Sequence, residues 1–281
     1  MPFSPVARRR AAAVAGLAVF LLALAVLRRE LSQASLGLVK ATLAQVTYSR
    51  IAIAMVLTAL NYAVLAYSDI LAIKSIGRRL QFRMVAAASF IAYAISNNVG
   101  FALVSGVSVR SRFYTRWGLS WEEISRVVIA YSTTFWVGLL ALGGAVLALM
   151  PWPSGPPLLA QAAQPLGWVL FATSFTVIVL ALGRRTIRIR SFEWAPPSAS
   201  IAFRQWLVSL LDWTLAAGVV WALLPPDRVP LGLGISAFVV SQLAGLASHV
   251  PGGLGVFEGS MVVLLKPYVS SSELAGTLVL Y

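Results

Sequence analysis

Long apolar blocks separated by short basic stretches set the pattern of this chain. Ala11 to Leu27, Ile51 to Ile73, Ser125 to Met150, Leu158 to Leu182 and Gln205 to Leu224 each approach or exceed the roughly 20 apolar residues that an α-helix needs to cross a bilayer. A further block begins near Glu273 and reaches Tyr281. Arg8-Arg9-Arg10 before the first block imitates a signal peptide. That block ends in Leu27-Arg28-Arg29-Glu30 with no small-residue cleavage pattern, so it reads as a retained first helix. Residues 31 to 46 are mixed in polarity and predict a short interfacial helix.

Two blocks are interrupted. Met84 to Val109 carries Ser96-Asn97-Asn98-Val99-Gly100 at its middle, and Leu231 to Leu265 carries Ser248-His249-Val250-Pro251-Gly252-Gly253-Leu254-Gly255-Val256-Phe257-Glu258. Lipid offers the backbone no hydrogen bonds, so an irregular stretch at membrane depth is tolerated only where protein buries it or water reaches it. Both breaks therefore predict a cavity. Pro251 can start a helix without losing a needed donor, and Gly252, Gly253 and Gly255 leave backbone N–H groups approachable. Glu258 falls in the first turn of that helix, where it complements the dipole and suits a cationic ligand better than an anion. A Gly/Pro kink with a satisfied glutamate is the plainer alternative.

Charge supplies the sidedness. Lys74, Arg78, Arg79 and Arg83 fill one loop, and Arg110, Arg112, Arg116 and Arg126 fill the next against Glu122 and Glu123, so both loops are expected in the cytoplasm. A straight helix through Met84 to Val109 would put them on opposite sides. The segment is therefore predicted to be a re-entrant hairpin, entered and left from the cytoplasm. The loop from Pro151 to Pro157 then faces out, Arg184, Arg185, Arg188 and Arg190 face in, and Pro225 to Pro230 faces out. Leu231 to Leu265 becomes a second hairpin of opposite orientation. Arg28, Arg29, Lys40 and Arg50 run against the charge rule. The expected fold class is all-α, a polytopic integral membrane protein of about six to eight membrane segments with two re-entrant broken hairpins. An inverted repeat would place its site where the breaks meet near the midplane.

Composition agrees with a membrane protein: hydrophobic residues make up 59% and charged residues 11% of 281, and the mean hydropathy is +0.84. The net charge of +13 would suit nucleic acid, but the cations sit in short loops between apolar blocks, so anionic phospholipid is the expected partner. The absence of cysteine excludes disulfides and thiolate metal sites, and a single histidine excludes a multi-histidine centre. No catalytic triad, phosphate-cradling loop or metal cluster is present in the sequence, so neither cofactor nor catalysis is expected of this portion.

Chemistry then rests on a few polar residues. Asp69 closes the second span and Asp212 lies among leucines in mid-span, where a carboxylate costs roughly 2.5 to 3.5 kcal/mol on the insertion scale. Asp212 needs a partner; Arg110 is the first choice, ahead of His249 and Arg204. Such a pair either serves a site or only fixes helix packing. Arg112 and Arg116, with Arg126, are expected to hold lipid phosphates at the surface. His249 is either a satisfied histidine or a proton carrier. Asn97 and Asn98 either bond a head group or satisfy the broken backbone. Trp117, Trp121, Trp136, Trp152 and Trp168 read as an interfacial belt.

Several ordered stretches resemble one family. They are Asn61-Tyr62 through Tyr67-Ser68-Asp69-Ile70-Leu71-Ala72, Ser89 through Ser96-Asn97-Asn98-Val99-Gly100-Phe101, and Gly106 through Val109-Arg110-Ser111-Arg112-Phe113-Tyr114. Trp117-Gly118-Leu119-Ser120, Thr134-Phe135-Trp136-Val137-Gly138 and His249-Val250-Pro251-Gly252-Gly253-Leu254-Gly255-Val256-Phe257-Glu258 continue the series. From about residue 50 onward the chain is similar to the membrane domain of bacterial phosphatidylglycerol lysyltransferases, also called multiple peptide resistance factors. Ser68 stands where that family commonly has tyrosine.

The resemblance implies a multi-pass protein of the bacterial cytoplasmic membrane that carries aminoacylated phosphatidylglycerol to the outer leaflet and confers resistance to cationic peptides. It also implies a C-terminal cytoplasmic aminoacyltransferase domain, not contained in this chain, that would use aminoacyl-tRNA. The chain is accordingly expected to be the front part of a longer protein, and a homodimer is among the expected assemblies. A lysyl head group has one phosphate and two ammonium groups. Arg110 with the glycine N–H groups would serve the phosphate, and Asp69, Asp212 and Glu258 the ammoniums. A membrane anchor for the synthase, or a flippase for another amphipathic lipid, is the alternative.

Overall fold

The apolar blocks fold as helices whose ends coincide with capping boxes, glycines or polar breaks. The structure, a computed structural model, describes residues 46–99, 102–150, 157–183, 187–189, 192–194, 196–248, 250 and 253–281. The expected first span and nearly all of the interfacial segment lie outside the described residues, as do Gly100, Trp152, His249, Pro251 and Gly252.

In chain order the elements are α1 (Tyr48–Ser75), α2 (Phe82–Val99), α3 (Ala102–Arg116), α4 (Trp121–Leu149), α5 (Pro157–Thr173) and α6 (Thr176–Gly183). Strands β1 (Ile187–Ile189) and β2 (Phe192–Trp194) follow, then α7 (Ala199–Leu223), α8 (Leu231–Ala247), α9 (Val256–Leu265) and α10 (Ser271–Leu280). Tyr48–Ser75, Trp121–Leu149, Ala162–Gly183 and Ala199–Leu223 are long and apolar enough to cross a membrane. The chain is thus a polytopic, almost wholly helical protein. Among the described residues the exception is the antiparallel β1–β2 pair, with Ile187 opposite Trp194, in a loop whose apolar pattern does not signal it.

Two compact units emerge, one of Val56–Ala216 and one of Met1–Met55 with Ala217–Tyr281. In the first, α2 and α3 pack on each other. Their lengths of 18 and 15 residues correspond to roughly 27 and 22 Å, both short of the roughly 30 Å hydrocarbon core. Ile73, Val85, Tyr114, Ile124 and Val127 share one buried cluster, which gathers the end of α1, the start of α2, the end of α3 and the start of α4. Ser120 caps α4 in a capping box with Glu123. The same Glu123 accepts from Arg78 Nε at 2.6 Å and Nη2 at 3.2 Å. This ion pair joins the two basic loops. They therefore lie on one side, and α2–α3 returns to the face it entered.

The span expected from Leu158 to Leu182 is present over Ala162–Gly183, but a turn divides it into α5 and α6. The chain turns at Ser174 and Phe175, where the Ser174 hydroxyl donates to the Phe171 carbonyl and accepts the Trp206 Nε1–H at 2.9 Å. A serine bonding back to its own helix competes with the helical ladder, and the indole stabilises the interruption. Nearby, α4 and α5 approach at backbone distance: a Cβ built on Gly144 would lie 2.7 Å from the Gly167 carbonyl oxygen.

The second unit repeats the plan of the first. α8 and α9 pack on each other across a break in which Gly253 and Gly255 hold φ of +65° and +78°, conformations that a side chain would strain. Ser270 caps α10 in a capping box with Glu273, and Glu273 accepts from Arg228 Nη2 at 2.6 Å and Nη1 at 3.1 Å. Both ion pairs join residues 45 positions apart. The second set is displaced from the first by 150 positions, Arg78 to Arg228, Ser120 to Ser270 and Glu123 to Glu273. Each hairpin thus has a mouth closed by an arginine and a helix-capping glutamate.

The cysteine-free chain allows a direct check of these mouths with an impermeant maleimide in intact cells. Cysteines placed singly at Arg79 and Arg116 are expected to label only after permeabilisation, and those at Asp227 and Lys266 without it. Labelling of the Arg79 and Arg116 positions from opposite sides would overturn the hairpin.

Candidate functional site

Arg110 on α3 is 1% exposed and Asp69 on α1 is fully buried. Nε of Arg110 donates to Asp69 Oδ2 at 2.9 Å and Nη2 to Oδ1 at 3.3 Å, a two-pronged pair. Its guanidinium carbon lies 4.4 Å from the ring centre of Tyr93 on α2 and 4.5 Å from that of Tyr131 on α4. Four helices therefore meet on one cation. Helical side chains lean toward the N-terminus, so Arg110 lies back over Gly106, where a Cβ would come 3.1 Å from Nη1 and 2.7 Å from Ser96 Oγ. Two rings within cation–π reach and a two-pronged carboxylate replace the water that a cation loses in hydrocarbon.

Arg110 is thus committed to Asp69, and the expected pairing with Asp212 does not form. Asp212, part-buried on α7, instead meets an amide: Nδ2 of Asn61 on α1 donates to its Oδ1 at 2.7 Å and to its backbone carbonyl at 2.9 Å. A neutral amide satisfies the carboxylate oxygen and leaves its charge uncompensated. Arg204, the other described candidate partner, is exposed. Next to Asp212, the Trp213 indole donates to the Phe135 carbonyl at 3.0 Å, and Ser209 donates to the Thr134 carbonyl. α7 is therefore bonded to both α1 and α4 around the aspartate.

Glu258 caps its own helix, its Oε2 accepting the Gly255 N–H at 2.7 Å. Asn97 and Asn98 fall within α2, but their side chains are outside the described residues, as are His249, Pro251, Gly252 and Gly100. Arg112 and Arg116 are exposed near the first mouth. The hydroxyls of Tyr131 and of Ser89, one turn before Tyr93, are buried without a partner among the described residues. No group of three metal-ligating side chains occurs among the described residues.

The tryptophan belt holds only in part. Trp121 opens α4 at 69% exposure, whereas Trp136 and Trp168, about half exposed, lie in the middle of their helices. Sequence reasoning missed the aromatic series on α7. Trp206, Trp213 and Trp221 each donate an indole N–H to a group outside α7, the last to the Val229 carbonyl at 3.0 Å. Their spacing of seven and eight is the visible signal of one inward face. Asn61 was equally legible as an intramembrane amide.

Known proteins place this arrangement in a family. The family described as the lysylphosphatidylglycerol synthase TM region matches residues 13–281, and the chain belongs to it. It is 32% identical over 278 residues to the uncharacterized protein slr0712 of Synechocystis, covering 96% of this chain and 85% of that protein. The inner membrane protein YbhN of Escherichia coli is 26% identical over 251 residues, covering 83% of this chain and 75% of its own length. The phosphatidylglycerol lysyltransferase of Staphylococcus aureus is 23% identical over 210 residues, 73% of this chain but only 24% of that enzyme.

Breaking the buried pair from either side leaves an uncompensated charge, so Asp69→Asn and Arg110→Gln are each expected to destabilise the purified protein by about 3–5 kcal/mol. The double variant should lose less than the sum, since neither charge remains. Strictly additive losses in detergent unfolding, or single losses below about 1 kcal/mol, would show that the pair does not hold the helices.

Proposed function

We propose that this member of the lysylphosphatidylglycerol synthase transmembrane family moves an aminoacylated phosphatidylglycerol from the inner to the outer leaflet of the bacterial cytoplasmic membrane. The observation that carries the reading is Asp212, an intramembrane carboxylate held by the Asn61 amide, with its charge free to attract a cation. An ionisable side chain is costly in hydrocarbon, and a partner that orients it without neutralising it suits an ammonium ligand. The aminoacyl head group supplies such ammoniums beside its phosphate.

Arg110 and Asp69 neutralise each other, so their first task is to set the helices around the polar interior. A phosphate would reach Arg110 only by displacing Asp69, a competition of one anion with another. The unpartnered Tyr131 and Ser89 hydroxyls favour a polar guest, because a buried hydroxyl left unpaired costs about 1–3 kcal/mol. Glu258, its Oε2 engaged at the helix start, is the second acidic contact of this reading. The names of the E. coli and S. aureus relatives support the membrane and the lipid class.

A flippase for another amphipathic lipid is the second reading. It is favoured by relatives not much longer than this chain, of which the chain covers 85% and 75%. The match to the lysyltransferase covers only 24% of that protein.

Cells that make lysyl-phosphatidylglycerol with a separate synthase domain provide the test. Exposure of the lipid on the outer leaflet is expected to require this chain and to fall at least about tenfold with Asp212→Asn, the loss of one charged contact, while the protein stays folded. Glu258→Gln should lower it as well. Equal exposure with and without the chain would reduce it to an anchor.

A further inference from the structure

A cavity of about 630 Å³ opens at the mouth of the first hairpin, built from residues other than Asp69, Arg110 and Asp212. Lys74, Arg78 and Arg79 line it together with an apolar wall that includes Ile73, Val85 and Ile201. Arg78 is held by Glu123, whereas Lys74 and Arg79 are exposed and enter none of the ion pairs among the described residues.

The repeated architecture separates these two cations from the closure. The second mouth keeps Arg228 and Glu273 in the places of Arg78 and Glu123, but has Leu224 and Val229 where the first has Lys74 and Arg79. Closing a mouth therefore needs the arginine and the glutamate, and not the two extra cations. Three positive charges within six positions repel one another and weaken the hold of Glu123 on Arg78. An anion between Lys74 and Arg79 relieves that repulsion. The apolar wall adds a second requirement that a free ion does not meet: the ligand is an amphiphile. The volume lies within the roughly 300–1,000 Å³ of small-ligand sites, enough for a glycerophosphate head group.

We propose that this cavity is a binding site for an anionic phospholipid of the leaflet it faces. Lys74 and Arg79 contact the phosphate, the apolar wall contacts the glycerol and first acyl carbons, and occupancy tightens the Arg78–Glu123 closure of the mouth. The site stands whether or not the chain translocates lipid.

Native mass spectrometry of the full chain, titrated with phosphatidylglycerol or phosphatidylcholine, tests it. One phosphatidylglycerol is expected to bind at least tenfold more tightly than phosphatidylcholine. Lys74→Gln with Arg79→Gln should weaken it roughly 30-fold, at about one order of magnitude or slightly less per cation. Ile201→Trp, which fills the cavity and leaves every charge, should weaken it comparably. Arg83→Gln with Lys266→Gln, two exposed cations that do not line the cavity, should change it less than threefold. Equal losses in the two charge variants, equal binding of both lipids, or full affinity in Ile201→Trp would overturn the site. Displacement of the lipid by inorganic phosphate at equal concentration would assign the cations to a free ion and overturn it too.

Discussion

One guanidinium organises the larger unit. Arg110 is withdrawn from solvent on α3, and each thing that compensates it comes from a different helix: a carboxylate from α1, a ring from α2, a ring from α4. A cation in hydrocarbon is tolerated only if such groups are all present together, so the pair acts as a test of assembly more than as a source of net stability. The broken α2–α3 hairpin becomes intelligible on this basis. Its arms bring Tyr93 and Arg110 into register, and the Arg78–Glu123 pair closes the hairpin at its mouth.

The second hairpin keeps the mouth and changes the interior. Arg228 and Glu273 repeat the closure, while Val219 and Ser260 stand at the positions that correspond to Asp69 and Arg110. Polar chemistry is therefore unequally shared between the repeats. The first holds a neutralised ion pair and the second a glycine-rich turn with a helix-capping glutamate. Asp212 belongs to the long helix that precedes the second hairpin, and its restraint by an amide leaves it the described intramembrane carboxylate best suited to a cationic head group.

Much of this was legible in the residues. Apolar length located the four long spans among the described residues, and the conflict between two basic loops required a hairpin, because charge sidedness and backbone satisfaction are strong constraints in a bilayer. Asp69 at a span end and Arg110 in a basic loop both stand out by sequence, but the burial of Arg110 inside a helix and its pairing with Asp69 do not, since sequence spacing across separate helices fixes no distance. By sequence Asp212 calls for a charged partner, whereas a neutral amide on a facing helix meets it. Ser174 is a single serine in an apolar block, too weak a signal to reveal the α5–α6 break without the indole of Trp206 that stabilises it. The repeat lay open in the two Ser-x-x-Glu capping boxes and the arginines before them, yet overall residue similarity between the halves is faint because only the closures share chemistry.

The most direct measurement is head-group selectivity in vesicles that contain only the purified chain. With lysyl-phosphatidylglycerol and phosphatidylglycerol placed initially in one leaflet, the account predicts that the lysylated lipid reaches the other leaflet much faster than in protein-free vesicles, while phosphatidylglycerol does not. Transfer of neither lipid, or of both at the same rate, would contradict a site that selects its cargo by ammonium charge.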